Sequence, residues 1–243
     1  MNAHRLLPRA WRFAALLAGC AATAFAAPAG ADGSPVYDGY DAFWKTLPNP
    51  VFGAADEKPL DDPQSFEGRS FRAWGAVPAD GGHPAAGAHR VEILGKDMTV
   101  DHHRFPFAGA RVFPGEAAAE VGADARLFVG ERDLCVQGTA PSSSGTAQRH
   151  VHVRLLVDAF TPHARRYDLP SLFGSCLALT RDAHGVLRFP EGVYHTPDGA
   201  SASDGVDLRM WQLREGRFIK TGESLRLRFP EPDNVYRFTV AAP

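Results

Sequence analysis

Residues 149–160 read RHVHVRLLVDAF. Two histidines and an arginine alternate with apolar residues at the start of this stretch, and an apolar run follows. Because successive side chains of a strand point to opposite faces, His150, His152 and Arg154 form one row and the valines and leucines the other. The stretch therefore predicts an antiparallel strand whose apolar face lies in a core and whose histidine face lies in solvent.

Similar patterns recur through the rest of the chain at short intervals. Gly95–Asp97 separates two alternating runs and predicts a tight hairpin. Further hairpins are predicted around turns at 181–184, 214–216 and 230–234. In the last run, Tyr236, Phe238 and Val240 are expected to face inward. Many short strands joined in this way predict a mostly β fold, an antiparallel sandwich or barrel built from successive hairpins.

Two short helices are predicted beside these strands. Residues 40–47 fit the first helix, with Asp41 as its cap and the proline at position 48 ending it. Its aromatic residues are expected to dock on the β domain and close one end of the core. The second helix is predicted near 116–122, with Gly122 ending it.

The division of the chain follows from these elements. Residues 1–31 are predicted to be a signal peptide, and residues 32–63 a lead-in with the short helix and a Pro-rich connector. Residues 64–243 are predicted to form a single β domain.

The N-terminus has the pattern of a secretory leader. Arg5, Arg9 and Arg12 precede an apolar run that is too short to span a membrane. Cleavage is predicted before Ala27 or before Asp32, each of which follows a small-x-small sequence. Residues 17–20, Leu-Ala-Gly-Cys, resemble the lipobox of bacterial lipoproteins, which implies cleavage before Cys20 and acylation of its thiol. We therefore expect a periplasmic or secreted protein, with an outer-membrane lipoprotein as the alternative.

Charge and cysteine content narrow the classes of protein further. The chain has 26 basic and 28 acidic residues, and removing the three leader arginines leaves 23 against 28, a net charge of −5. That balance argues against a nucleic-acid-binding protein, and we expect membrane contact only through a lipid anchor. Outside the leader, Cys135 and Cys176 remain, and an oxidising compartment favours a disulfide between them.

A metal site is the sharpest chemical hypothesis that the sequence offers. Imidazoles two residues apart on one strand face can supply two ligands to zinc or copper, as His150 and His152 would. A third ligand would come from His102 or His103, or otherwise from Asp101, His195 or His89. The simpler interpretation is that the histidines line a solvated strand, because Arg154 in the same row would oppose a bound cation.

The other catalytic motifs that we considered are absent from the sequence. There is no zinc-protease, phosphate-binding, dinucleotide-binding or nucleophile-elbow motif. Serines 142–144 lie in a predicted flexible loop, and Glu131 and Asp133 flank a predicted turn. We therefore expect a non-catalytic envelope protein that binds a protein partner or a small ligand. A metal-binding protein, or a hydrolase whose site cannot be read from the sequence, is the alternative.

Overall fold

The computed structural model of the protein describes residues 34–75, 88–106, 111–113 and 119–241. The predicted leader and Cys20 lie outside these residues, as does most of the predicted helix near 116–122, whose described part, 119–122, is irregular. The described residues form one α-helix, α1 (Tyr40–Trp44), and seventeen strands. The strands are β1 (Val36–Asp38), β2 (Glu57–Lys58), β3 (Gln64–Phe66), β4 (Arg69–Trp74), β5 (Val91–Leu94), β6 (Asp97–Val100), β7 (His103–Phe105), β8 (Arg111–Val112), β9 (Arg126–Val129), β10 (Leu134–Thr139), β11 (Val151–Val157), β12 (Arg165–Leu169), β13 (Thr180–Arg181), β14 (Leu187–His195), β15 (Gly205–Arg214), β16 (Arg217–Arg228) and β17 (Arg237–Val240).

The strands make three sheets, which confirms the predicted mostly β fold. The N-terminal sheet is an antiparallel meander of β3 to β7. The middle sheet has the order β2-β9-β10-β11-β12-β8 and is antiparallel except for the β12–β8 pair. The C-terminal sheet has the order β1-β17-β16-β15-β14-β13. Short 3-10 helices at Ala54–Asp56, Gly145–Arg149 and Cys176–Ala178 connect the strands.

Most predicted hairpins form where the turn residues indicated. The β5–β6 turn falls at Gly95–Lys96, and the β15–β16 turn at Glu215–Gly216. One detail differs from the predicted pattern of separate hairpins, because a single strand, β16, runs from the turn at 214–216 almost to the turn at 230–234. Gly222 between them has no left-handed backbone conformation, so nothing turns the chain there.

Two apolar clusters lie on opposite faces of the middle sheet and make the fold a three-layer sandwich. The first fills the space between the middle and C-terminal sheets, and its fully buried members include Phe128, Leu155, Phe189 and Phe238. The second lies between the middle and N-terminal sheets and contains Val91, Met98, Leu127, Leu134, Val136 and Leu156. The middle sheet is thus covered on both faces, unlike a two-layer sandwich with solvated outer faces.

Helix α1 closes one end of the first cluster, as predicted. Tyr40, Phe43 and Trp44 are buried, and each large apolar side chain buried in this way stabilises the fold by roughly 1.5–3 kcal/mol. The predicted cap is wrong, because Gly39 occupies the N-cap position and no side chain caps the helix. Asp41 instead binds an arginine of the middle sheet.

The segment before residue 64 is built into the sheets. Strand β1 pairs with β17 and strand β2 with β9, so residues 32–63 contribute to two of the three layers. The Gly39 N–H donates to the Tyr236 carbonyl at 2.7 Å, and the Tyr40 hydroxyl to the Val235 carbonyl at 3.2 Å. These bonds fix α1 against the last strand of the sheet.

The predicted disulfide between Cys135 and Cys176 is present. It joins β10 to the 3-10 helix Cys176–Ala178 across 5.9 Å between Cα atoms, and both cysteines are fully buried in the first cluster. In the described part of the chain, every helix is too short or too polar to traverse a bilayer.

Candidate ligand-binding site

The four histidines of the metal hypothesis are spread over two layers. His150 is exposed just before β11, and its Nδ1 lies 3.0 Å from the Ser171 hydroxyl. His152 is half-buried in β11. His102 and His103 are exposed at the β6–β7 turn of the N-terminal sheet. Among the described residues no group of three potential ligands is brought together, so the metal hypothesis gains no support from the arrangement.

The remaining candidate ligands have partners of their own. His89 Nδ1 lies 2.8 Å from Asp101, and the His89 ring stacks on Phe160 at 3.9 Å between centroids. His195 lies 3.8 and 3.7 Å from Asp204 and Asp207.

Arg154 corrects the interpretation of the opening stretch. Its side chain is only 1% exposed, because the N-terminal sheet covers the face of β11 that we expected to be solvated. The guanidinium donates to the carbonyls of Gly95 at 2.9 Å and Ala119 at 2.6 Å, and lies 3.8 Å from Asp168. Burial, together with the neighbouring Arg166, lowers the pKa of Arg154 to about 10, which leaves it protonated at neutral pH. The row of polar residues on β11 therefore joins two sheets.

The groups named for the hydrolase hypothesis do not form a site. Ser142 and Ser144 are exposed on the loop before the 3-10 helix Gly145–Arg149, and Glu131 is exposed at a turn. Asp133 is buried, accepts from the Asp158 amide at 3.1 Å and pairs with Arg181 at 2.6 Å. Asp133 thus has a structural role in joining strands.

A cleft that the sequence did not reveal lies where α1, the ends of β10 and β11 and the start of β17 meet. Its volume is about 370 Å³, within the range of small-molecule sites. We call it the Gln137 cleft, and its lining is Gly39, Tyr40, Asp41, Asp124, Arg126, Gln137, Gly138, Gln148, Arg149, Val151, Phe173, Gly174 and Tyr236.

Three aromatic rings form one wall of the Gln137 cleft. Tyr40 stacks on Phe173 with 4.0 Å between ring centroids, and Tyr236 meets both rings edge-on at 6.4 and 5.9 Å. Burial raises the pKa of Tyr40 well above its ordinary value, so its hydroxyl remains a proton donor. Tyr236 is 45% exposed, which corrects the expectation that it faces the core. Tyr236 is therefore the accessible ring of the wall, and the buried Tyr40 and Phe173 lie behind it.

A charged network forms the opposite side. Arg126 donates to Glu57 through two nitrogens at 2.8 Å each and to Asp41 at 2.6 Å. The hydrogen bond from Arg126 lowers the pKa of Glu57, and the same contact raises the pKa of Arg126. The second oxygen of Asp41 lies 3.0 Å from the Ser175 hydroxyl. Each charge in this network already has a partner.

Gln137 is the polar group that distinguishes the cleft. It is only 5% exposed, on the same face of β10 as the disulfide-bonded Cys135. Its side-chain oxygen accepts from the Cys176 amide at 2.6 Å and lies 3.1 Å from the Ser175 hydroxyl. These contacts orient the Gln137 side chain so that its nitrogen points away from Cys176. Among the described residues, this side-chain nitrogen donates to no acceptor. The nitrogen is not sealed from solvent, so a molecule in the cleft can accept a hydrogen bond from it.

Arg149 is the second group with unused donors. It is partly buried, donates through Nη1 to the Tyr194 hydroxyl at 2.9 Å and lies 6.0 Å from the centre of the Tyr194 ring. Within the ranges that the structure describes, no carboxylate pairs with it. Arg126, by contrast, has two carboxylate partners.

A second cavity, of about 290 Å³, lies beside Phe43, Trp44 and Met210 and is mostly apolar. Two nitrogens of its lining residues, Nε1 of Trp44 and Nε of Arg188, are buried without a hydrogen-bond partner in the described chain. Both nitrogens are sealed from solvent, so a molecule in this cavity would not reach them. The Gln137 cleft is therefore the stronger candidate site.

Neither Gln137 nor Tyr236 was identified from the sequence as a site residue. The one available signal was a lone glutamine in the otherwise apolar run LCVQGTA at 134–140. Arg149 adjoined the histidines that we considered, but its lack of an acidic partner is visible only in the structure. No protein-family model, curated protein or solved structure matches this chain, so the chemistry of the cleft is the basis for assigning a function.

Proposed function

We propose that this protein is exported and non-catalytic, and that it binds a small ligand in the Gln137 cleft. The observation that carries the proposal is Gln137, whose side-chain oxygen is held by the Cys176 amide while its nitrogen, which is not sealed from solvent, donates to no acceptor among the described residues that line a cleft of about 370 Å³. A ligand oxygen at this position would gain a hydrogen bond from an amide whose orientation is already fixed, with a net contribution of about 0.5–1.5 kcal/mol.

Export is supported by the leader pattern and by the disulfide. A structural disulfide is typical of oxidising compartments, and Cys135–Cys176 is buried in the main core. The proposed location is the periplasm or the exterior of the cell, with acylation at Cys20 as the alternative form.

A binding role fits the groups that line the cleft better than catalysis does. Asp41 is held by Arg126 and Ser175, and Asp124 by the amide and hydroxyl of Thr139. The described lining contains no histidine to act as a base. The hydroxyl beside Asp41, that of Ser175, is buried and shares its single proton between Asp41 and Gln137.

Saturation-transfer NMR tests the proposal on the protein expressed with its own leader and purified from the envelope fraction. The samples would contain mixtures of amino acids, organic acids and sugars. We expect at least one compound to receive saturation from the wild type and to lose that signal in Gln137→Glu. This change keeps the oxygen that binds Cys176 and removes the free donor.

The matched control is Gln64→Glu, which makes the same change at an exposed position of β3, outside the cleft. Mass spectrometry of the same sample identifies the mature N-terminus, and any lipid on Cys20. The proposal fails if no compound binds, or if every binder behaves identically in the wild type and in both variants.

A further inference from the structure

Gln137 and Arg149, which both line the cleft, have hydrogen-bond donors that no described residue uses. Gln137 offers the two hydrogens of its side-chain nitrogen, and Arg149 has only its Nη1 engaged, by Tyr194. A ligand that meets both residues must therefore supply acceptors. A carboxylate does so with two oxygens and no proton, and it pairs well with a guanidinium.

The two carboxylates that line the cleft are already held by donors of the protein. Both oxygens of Asp41 are engaged, by Arg126 and Ser175. Both oxygens of Asp124 receive hydrogen bonds from Thr139, at 2.9 to 3.1 Å. Arg149 and the Gln137 nitrogen offer donors only, and a carboxylate meets both with acceptors alone, whereas each hydroxyl of a neutral saccharide also brings a donor.

Among the described residues, Arg149 is the cation of the lining without an ion-pair partner, and Asp124 is the carboxylate without one. Arg126 is neutralised by Asp41 and Glu57, whereas Arg149 has no acidic partner among the described residues. A partly buried cation gains most from a partner of opposite charge, because its own burial weakens its hydration. An incoming carboxylate would supply that partner.

The apolar part of the ligand is indicated by the aromatic wall. Tyr40 and Phe173 are stacked and buried, and Tyr236 extends the wall into solvent. The backbone of Phe173 has a left-handed conformation, with a φ of 52°. Its N–H donates to the Arg149 carbonyl at 2.7 Å. The strained residue thus links the wall directly to the cationic residue. Flat apolar groups pack well on such rings.

From these observations we propose that the ligand is a small organic carboxylate with a flat apolar body. Its carboxylate binds Arg149 and the Gln137 amide, and its body packs against Phe173 and Tyr236. This assignment rests on the proposed function, because it specifies the ligand of the same cleft.

Titration of the purified protein with three probes tests the assignment. Benzoate carries the carboxylate and the flat body, benzamide keeps the body without the charge, and glucose represents a neutral saccharide. We expect benzoate to bind at least about tenfold more tightly than benzamide or glucose, because one charge-assisted hydrogen bond contributes a difference in affinity of about that size.

Two variants locate the probe. Arg149→Met should weaken benzoate binding at least about tenfold and leave benzamide nearly unchanged. Gln137→Glu should weaken benzoate more than benzamide, because it places a like charge beside the carboxylate. The control, Arg165→Met, removes an exposed arginine outside the cleft and should leave benzoate binding unchanged. Circular dichroism checks that each variant is folded.

The outcomes separate the two proposals. Suppose that benzamide or glucose binds with the same affinity as benzoate, and that Gln137→Glu abolishes this binding. The carboxylate assignment is then overturned, and the binding function stands. If benzoate binds but both cleft variants bind it as the wild type does, the assignment is likewise overturned. If no probe binds and the compound mixtures give no cleft-dependent signal either, both proposals are overturned.

Discussion

Replacing Arg154 with methionine should destabilise the protein strongly, although the sequence alone places this residue on a solvent-facing row. The guanidinium lies between the middle and N-terminal sheets and donates to the carbonyls of Gly95 and Ala119. Methionine fills a similar volume but offers no donor. The change therefore leaves two carbonyls without their charged partner.

The size of the effect follows from these contacts. Hydrogen bonds to a charged group contribute about 1.5–3 kcal/mol each, so two of them amount to roughly 3–6 kcal/mol. The substitution also relieves the burial of a cation beside Arg166, which offsets part of that loss. Asp168 keeps its bidentate contact with Arg166, with two hydrogen bonds of 2.9 Å, so the substitution leaves no buried carboxylate without a partner. We expect a net loss of about 2–4 kcal/mol in the free energy of unfolding.

Urea unfolding followed by tryptophan fluorescence measures this loss. With a dependence of about 3 kcal/mol per molar urea, the midpoint should fall by about 1 M. Arg154→Lys keeps the charge but reaches fewer acceptors, and should lose about half as much. Arg165→Met, at the exposed first residue of the neighbouring strand β12, should change the free energy by less than about 0.5 kcal/mol. A midpoint for Arg154→Met equal to or above that of the wild type would show that the burial of the cation outweighs its hydrogen bonds, and would refute the reasoning.

Three further predictions concern other contacts of the fold. The double change Cys135→Ala/Cys176→Ala opens a link between residues 41 positions apart and should lower the free energy of unfolding by about 4 kcal/mol; equal urea midpoints for the oxidised wild type and the variant would contradict this. Burial lowers the pKa of His152, and the neighbouring Arg154 and His150 lower it further. As the pH falls below 6.5, the unfolded chain therefore binds a proton at this residue before the folded protein does, and the free energy of unfolding declines. In His152→Gln the slope of unfolding free energy between pH 7 and pH 5 should be shallower by up to about 1.4 kcal/mol per pH unit, and an unchanged slope would exclude His152 as its source. The methyl group added in Gly138→Ala would lie 2.3 Å from Val121, so the free energy of unfolding, measured by thermal unfolding, should fall by about 1–3 kcal/mol. The control Gly222→Ala adds a methyl group with no atom within 4 Å and should be nearly neutral. Equal losses of stability in the two variants would contradict the packing argument.

The predictable part of the fold is the part that depends on neighbours in sequence. The hairpin at Gly95–Lys96 and the docked helix α1 follow from local turn residues and from a cluster of aromatic side chains. The third layer does not follow from such signals. Alternation on β11 shows which residues are polar, but it does not show that another sheet covers Arg154 and supplies carbonyls to it.

The candidate site depends on contacts between distant residues, and so it was missed. Gln137 is held by the amide of Cys176, which the disulfide brings beside β10. Tyr236 lies at the cleft because it precedes β17, which starts only at Arg237. An alternation argument that extends the strand by one residue places the same ring in the core.

The pairing of β1 with β17 has a consequence for the timing of folding. Val36 and Thr239 are partners although about two hundred residues separate them, so the C-terminal sheet stays incomplete until the last strand has left the ribosome. Contacts of such long range form slowly. Strands β2 to β12, which make the other two sheets, leave the ribosome earlier, so those sheets can form before β1 meets its partner.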